Sequence, residues 1–248
     1  MKELRVELKK SRRMHDSLTA VCISLFALLW ASQTGGSNSD RLTSGYSGLF
    51  YSIPLINTVV MPIGTAVLAS RIWDIENREN NCRLLFTLQT RWTLFLSKTV
   101  FGVLQILLIC AVEGAGIMAI GIQSGCIEPL DWNQFWWLIL CTFLVNTMLF
   151  FLWLWLSIRF ENQVPPLAVG MVGSLSGLFS AFMPLWVSHL LPWGYYVPLS
   201  AMSMEWNRTT REVRFLPLPY PVWMLTVTVV LLAVFAISAW RTLYQKEV

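Results

Sequence analysis

Phe135–Ile158 reads FWWLILCTFLVNTMLFFLWLWLSI, 24 residues with no charge and only Thr142, Asn146, Thr147 and Ser157 as ordinary polar members. About 20 apolar residues, rising 1.5 Å each, cross the ~30 Å hydrocarbon core of a bilayer. The stretch therefore reads as a transmembrane helix. In lipid a helix satisfies its own backbone hydrogen bonds, whereas a strand needs a closed barrel. The chain contains nothing like the ten-residue alternating segments of barrel strands.

Working outward, four further strong apolar segments occur at Leu49–Ser70, Leu94–Ile122, Leu167–Leu191 and Val222–Trp240. A weaker one, Ser17–Ala31, is diluted by Thr19 and Ser24. Together they predict an all-α polytopic membrane protein of six transmembrane helices, with residues 1–248 forming a single membrane domain. Composition agrees: of 248 residues 55% are hydrophobic and 13% charged, and the mean hydropathy is +0.57. Soluble domains carry roughly 25% charged residues, so an ordinary water-soluble, disordered or collagenous chain is excluded.

Basic residues set the orientation. With a cytoplasmic N-terminal segment (1–16), 14 of the 18 Lys and Arg fall on the inner side. Six of these are in the first 13 residues, and Arg71, Arg78, Arg83, Arg91 and Lys98 follow the second span. Arg41, Arg208, Arg211 and Arg214 fall outside. The positive-inside bias predicts that both termini are cytoplasmic and that the number of spans is even. The net charge of +4 is thus a topology signal, and nothing in it points to nucleic acid. The first segment has the outline of a signal peptide ending near Ala31-Ser32. Its long basic region, and the odd five-span remainder that cleavage would leave, argue against removal. A lipobox fails because Val21 precedes Cys22.

Three departures from plain spans stand out. Residues 94–122 are too long for one straight crossing and contain Gly114, Gly116 and Gly121, which predicts a break or tilt near the outer end. Pro184 interrupts the fifth segment and Pro192 and Pro198 follow it, which predicts a re-entrant piece before the last span. Residues 192–221 are the longest stretch on the outer side, an extracellular loop large enough for a lid or gate.

Few motifs carry chemistry. No GxxxxGK[ST] exists, so no Walker A loop binds ATP in this chain. Ser174-Leu175-Ser176-Gly177 sits mid-span and reads as helix packing. Gly170, Gly173 and Gly177 share one helical face, where small residues permit close approach. Cys22, Cys82, Cys110, Cys126 and Cys141 form no CxxC, and His15 and His189 lie far apart. No disulfide framework, metalloprotease motif or His-based metal centre follows. Asn207-Arg208-Thr209 is an outward-facing sequon. Glu113 is the one acid deep in an apolar segment. It reads either as a polar contact on a substrate path or as a helix-end acid reaching interfacial water. Asn57, Gln105 and Asn146 are candidates for the same path or for interhelical hydrogen bonding. Trp132, Trp136, Trp137, Trp186, Trp193, Trp206 and Trp223 gather toward the outer boundary, as an aromatic belt or as a surface that holds an amphiphile.

Residues 71–98 form the longest inner loop (coupling loop 71–93). Leu84, Leu85 and Leu88 recur at helical spacing beside acids, predicting an amphipathic helix that a soluble partner's groove could grip. The pattern Glu76 or Glu79, Asn80-Asn81, Arg83, Leu84-Leu85, Thr87-Leu88 and then Lys98 resembles the ABC-2 type permeases. It is most similar to the lantibiotic-immunity permeases, the E/G subunits of the nisin, epidermin and mutacin protection systems, and to bacitracin-resistance permeases. Gln89 and Cys82 stand where that subfamily usually has proline and an aromatic. The resemblance implies a bacterial exporter subunit with a cytoplasmic coupling helix, in which Glu76, Glu79, Arg83, Leu84 and Leu88 dock on a separate ATPase. It further implies two copies of that ATPase, which binds ATP and Mg, a second permease chain in a homo- or heterodimer, and a lantibiotic-like peptide substrate drawn from membrane lipid. The chain itself would hold no cofactor and no metal. Other readings are a permease for another amphiphile or drug, a non-transporting sensor or assembly partner, and an intramembrane enzyme.

Overall fold

The computed structural model describes residues 15–34, 41–77, 90–124, 128–160, 162–207 and 212–245. Seven α-helices and one small hairpin make up these residues: α1 (Asp16–Thr34), α2 (Arg41–Asn77), α3 (Arg91–Gln123), α4 (Trp132–Arg159), α5 (Val164–Ser180), α6 (Leu185–Leu190) and α7 (Val222–Gln245), with β1 (Met202–Asn207) and β2 (Glu212–Pro217) between the last two helices. Five helices are long and apolar enough to cross a membrane: α1, α2, α3, α4 and α7. The protein is a multi-pass membrane protein built on helices.

α4 is the mast of the bundle. It packs most extensively against α7 and α2, and 72% of its most apolar window is buried, against 17% for α7. Its tryptophans are tied down at their polar ends. Trp153 is fully buried and donates from Nε1 to Thr65 Oγ1 of α2 at 3.1 Å. Trp155 donates to Thr242 Oγ1 of α7 at 3.0 Å, and Trp137 to the Leu199 carbonyl at 2.9 Å. A buried indole N–H without a partner costs about 1–3 kcal/mol, so these bonds fix which neighbour each face of α4 accepts. α3 closes on α4 through Gly102, where a Cβ would collide with the tip of the Phe150 ring. α1 packs on α3 and α2.

The helices alternate in direction. Asp16 of α1 meets Arg71 near the end of α2 at 4.0 Å, and Lys98 of α3 donates to the Ile72 carbonyl at 2.8 Å. Arg91 bonds the Tyr244 carbonyl of α7. The start of α1 and the end of α7 therefore lie at one end of the bundle, here the basic end. At the opposite end, Ser47 Oγ donates to Glu128 Oε1 at 2.6 Å, and the hairpin packs against α2.

Three sequence expectations change. α3 runs unbroken over 33 residues, so the predicted break near its outer end is corrected. Gly114, Gly116 and Gly121 instead admit Phe135, Leu28 and Tyr46. The fifth apolar segment is not one long span. α5 stops after 17 residues and the chain turns through Ala181–Pro184 into the six-residue α6, because Pro184 cannot continue a helical ladder. Residues 192–201 then return against the core, leaving Gly194, Tyr195, Tyr196 and Leu199 buried. Finally, the stretch read as a plain outer loop contains an antiparallel hairpin pairing Met202 with Pro217 and Glu205 with Arg214. Met202, Met204, Trp206, Val213 and Phe215 share one face by their register, and Phe215 stacks on Tyr51 of α2 at 5.8 Å.

Replacing Gly102 with Ala should lower the unfolding midpoint in detergent by the equivalent of about 1–3 kcal/mol, the usual cost of overpacking. Gly114→Ala should cost less, since its Cβ would stand 3.3 Å from the edge of Phe135. Equal midpoints for the two variants would contradict the close α3–α4 contact.

Candidate functional site

A polar pocket lies in the middle of the apolar core. Asn57 of α2, Glu113 of α3 and Asn146 of α4 are each fully buried. Tyr196, from the returning segment after α6, reaches in and donates its hydroxyl to Asn146 Oδ1 at 2.6 Å. Asn57 faces the Glu113 carboxyl without closing a standard hydrogen bond. Both Glu113 oxygens, both polar atoms of Asn57 and Asn146 Nδ2 have no partner. Buried polar groups are otherwise paired in almost every case. A group of orphan atoms from three helices is therefore an open site or a source of strain.

Local sequence explains why this region can hold such a pocket. Asn57 lies between Pro54 and Pro62, both inside α2. Each proline removes one backbone bond from the helical ladder on either side of Asn57, although the one non-helical residue inside α2 is Gly45, near its start. One turn toward the hairpin end, a small open cleft is lined by Pro54, Trp137, Cys141, Thr142, Tyr196 and Leu199 among others. Pro54 is one turn from Asn57, and Thr142 one turn from Asn146. Tyr196 is the wall that the cleft and the polar pocket share.

Of the four residues expected to line a substrate path, the structure brings together Asn57, Glu113 and Asn146. Gln105 stands apart. It is two turns nearer the basic end and donates to Ser17 Oγ of α1 at 3.2 Å. Gly170 packs against Ala66, 3.1 Å from its would-be Cβ, and Gly173 and Gly177 receive Trp193 and Gly194. All three glycines thus sit at contacts within this one chain. Of the five residues expected to dock an ATPase, Glu76 falls in the last turn of α2. Glu79, Arg83, Leu84 and Leu88 lie outside the described residues.

Sequence reading missed several contributors. Tyr196 sat in a segment read as loop; its signal was the run Trp193-Gly194-Tyr195-Tyr196, too apolar for open solvent. Lys98, only 1% exposed, was counted as a topology charge, although a lysine four residues into an apolar run is costly unless it is bonded. Its bond to Ile72 ties α3 to α2 just before the inner loop. Asp16, also 1% exposed, ties α1 to the same place through Arg71, which additionally donates to Thr19 Oγ1 at 2.7 Å.

Among the described residues no three His, Cys, Asp or Glu side chains converge as a metal site. Residues 3–177 match the model of a protein family described as ABC-2 family transporter protein. No curated protein matches the chain.

Removing the Tyr196 hydroxyl should cost about 1–2 kcal/mol, because Asn146 Oδ1 then joins the unpaired atoms. Thermal unfolding in lipid nanodiscs checks this. Tyr196→Phe should lower the midpoint, while Tyr220→Phe, on an exposed residue stacked against Trp137, should leave it within about 0.5 kcal/mol.

Proposed function

The chain belongs to the ABC-2 transporter family, and from that premise we propose that this membrane permease subunit serves a bacterial exporter of amphiphilic peptides of the lantibiotic type. The family match across residues 3–177 carries the permease part of the reading, since it spans α1 to most of α5, the loop after α2 and all three helices of the polar pocket; the peptide cargo rests on the resemblance of residues 76–98. In the assembly, two permease chains enclose the pathway, and two copies of a separate ATPase bind ATP and Mg and dock on residues 74–91. The basic end faces the cytoplasm, with both termini there, and the hairpin faces outward. α5 completes the sixth crossing, and the segment from α6 to Leu199 acts as a re-entrant piece beneath the hairpin lid.

α2 is the lever in this mechanism. Its last turn carries Glu76, and Asn57 lies 19 residues back, about 28 Å along the helix. Lys98 and the Asp16–Arg71 pair fasten that end of α2 to α3 and α1, so a push on the inner loop moves three helices together. Closure of the ATPases tilts α2 and changes how the polar pocket is walled. Such a shift does work only if the two states make different contacts, and the proline-flanked middle of α2 supplies a place where the two arrangements can differ. Glu79, Arg83, Leu84 and Leu88 supply the acidic and apolar grip for the ATPase groove. Gly170, Gly173 and Gly177 keep α5 close enough to α2 and the returning segment to move with them. The Trp-rich outer boundary and the exposed Trp206 and Trp223 give an incoming peptide an interfacial resting surface.

Charge reversal at the inner loop tests the coupling. Glu76→Lys with Glu79→Lys should leave membrane insertion intact and lower substrate-stimulated ATP hydrolysis of the co-reconstituted ATPase at least tenfold. Full stimulated hydrolysis in the double variant would show that coupling enters elsewhere.

A further inference from the structure

The unpaired atoms of the polar pocket have a definite chemistry. Five buried atoms there have no partner: the acceptors Glu113 Oε1, Glu113 Oε2 and Asn57 Oδ1, and the amide donors Asn57 Nδ2 and Asn146 Nδ2, with the Asn57 amide beside the Glu113 carboxyl. A primary ammonium has three N–H donors and one positive charge. It answers both deficits at once, giving the carboxylate a counter-charge and each acceptor a bond. A metal ion fits poorly, since hard divalent cations gather six or more oxygens, usually with several carboxylates. Only one carboxylate is present, and among the described residues no further His, Cys, Asp or Glu group completes a metal set. The cleft one turn outward is lined mainly by apolar side chains, which suits the hydrocarbon part of the same molecule.

We propose that the Glu113 pocket and the cleft above it form one site for a primary ammonium group carried on an apolar chain, with Tyr196 as the movable wall between them. The proposal deepens the permease reading by naming the charge and donor pattern of its cargo. It also accounts for Tyr196 bonding Asn146 while Glu113 and Asn57 stay unpaired: the hydroxyl holds the wall shut, and the acceptors wait for a donor. Entry of the ammonium requires the Tyr196 ring to swing; Tyr196 lies in the turn Tyr195–Leu199 that follows the three-residue 3-10 helix Pro192–Gly194. The unpaired atoms cost stability in the empty protein, and ligand binding recovers it.

The test uses the full chain alone in phosphatidylcholine nanodiscs, with thermal unfolding as the readout of binding. Octylammonium should raise the midpoint and bind at least tenfold more tightly than octyltrimethylammonium, which has the charge and no N–H; octanol should act alike on all variants. Glu113→Gln should lose at least tenfold in octylammonium affinity. Asn57→Leu should lose a comparable amount and, because it deletes an orphan amide, should raise the midpoint of the ligand-free protein. If Glu113→Gln does not fold, Asn57→Leu alone decides. Equal binding of the two cations, affinities within twofold of wild type in the variants, or a lowered ligand-free midpoint for Asn57→Leu would overturn the proposal; the last would make the amide structural glue. No ATPase is present in the assay. A failure here therefore leaves the permease–ATPase pairing untouched, and a failure of that pairing leaves this site standing.

Discussion

No water waits inside a bilayer to satisfy a stray donor, and every feature of this chain answers to that constraint. α4 shows how the constraint is met. Its three inward indoles find Thr65, Thr242 and the Leu199 carbonyl, and those bonds set the neighbours of the most buried helix. The charges at the basic end obey the same rule. Lys98 is buried because the Ile72 carbonyl receives it, and Asp16 because Arg71 lies beside it. The polar pocket gathers orphan atoms from α2, α3 and α4.

That contrast connects fold to function. A bundle that bonds the indoles of Trp137, Trp153 and Trp155 and the ammonium of Lys98 still leaves the Glu113 carboxyl, the Asn57 amide and Asn146 Nδ2 without partners at its centre. Proteins keep such local costs where a ligand or a motion uses them. In the proposed mechanism an ATPase supplies the motion, α2 carries it from the loop after Asn77 to the pocket, and the cleft beside the hairpin is the way out.

Much of the fold was legible from residue pattern alone. α2, α3, α4 and α7 announce themselves because length and apolarity are one-dimensional properties, and even the weak Ser17–Ala31 segment is a helix. The errors have physical causes. Glycines in α3 suggested a break, but in an apolar environment a helix keeps its ladder and uses glycine for close contact, as Leu28 against Gly116 shows. The hairpin was hidden because Met-Ser-Met-Glu-Trp alternates over too few residues to stand out from a polar loop. For the candidate site, residue types were readable and their meeting was not. Nothing along the chain says that Asn57, Glu113 and Asn146 share a depth and a facing direction, nor that the segment after Pro184 and Pro192 sends Tyr196 to join them. Gln105 carried the same signal as its companions and turned out to serve α1.

The proposed orientation, with the ATPase at the basic end and the cleft facing outward, is measured directly by site-specific labelling. In a cysteine-free background, a membrane-impermeant maleimide applied to intact cells should label Glu205→Cys on the hairpin. It should reach Tyr244→Cys only after permeabilisation. Labelling of Tyr244→Cys in intact cells, with Glu205→Cys protected, would place the basic end outside and contradict the account at its root.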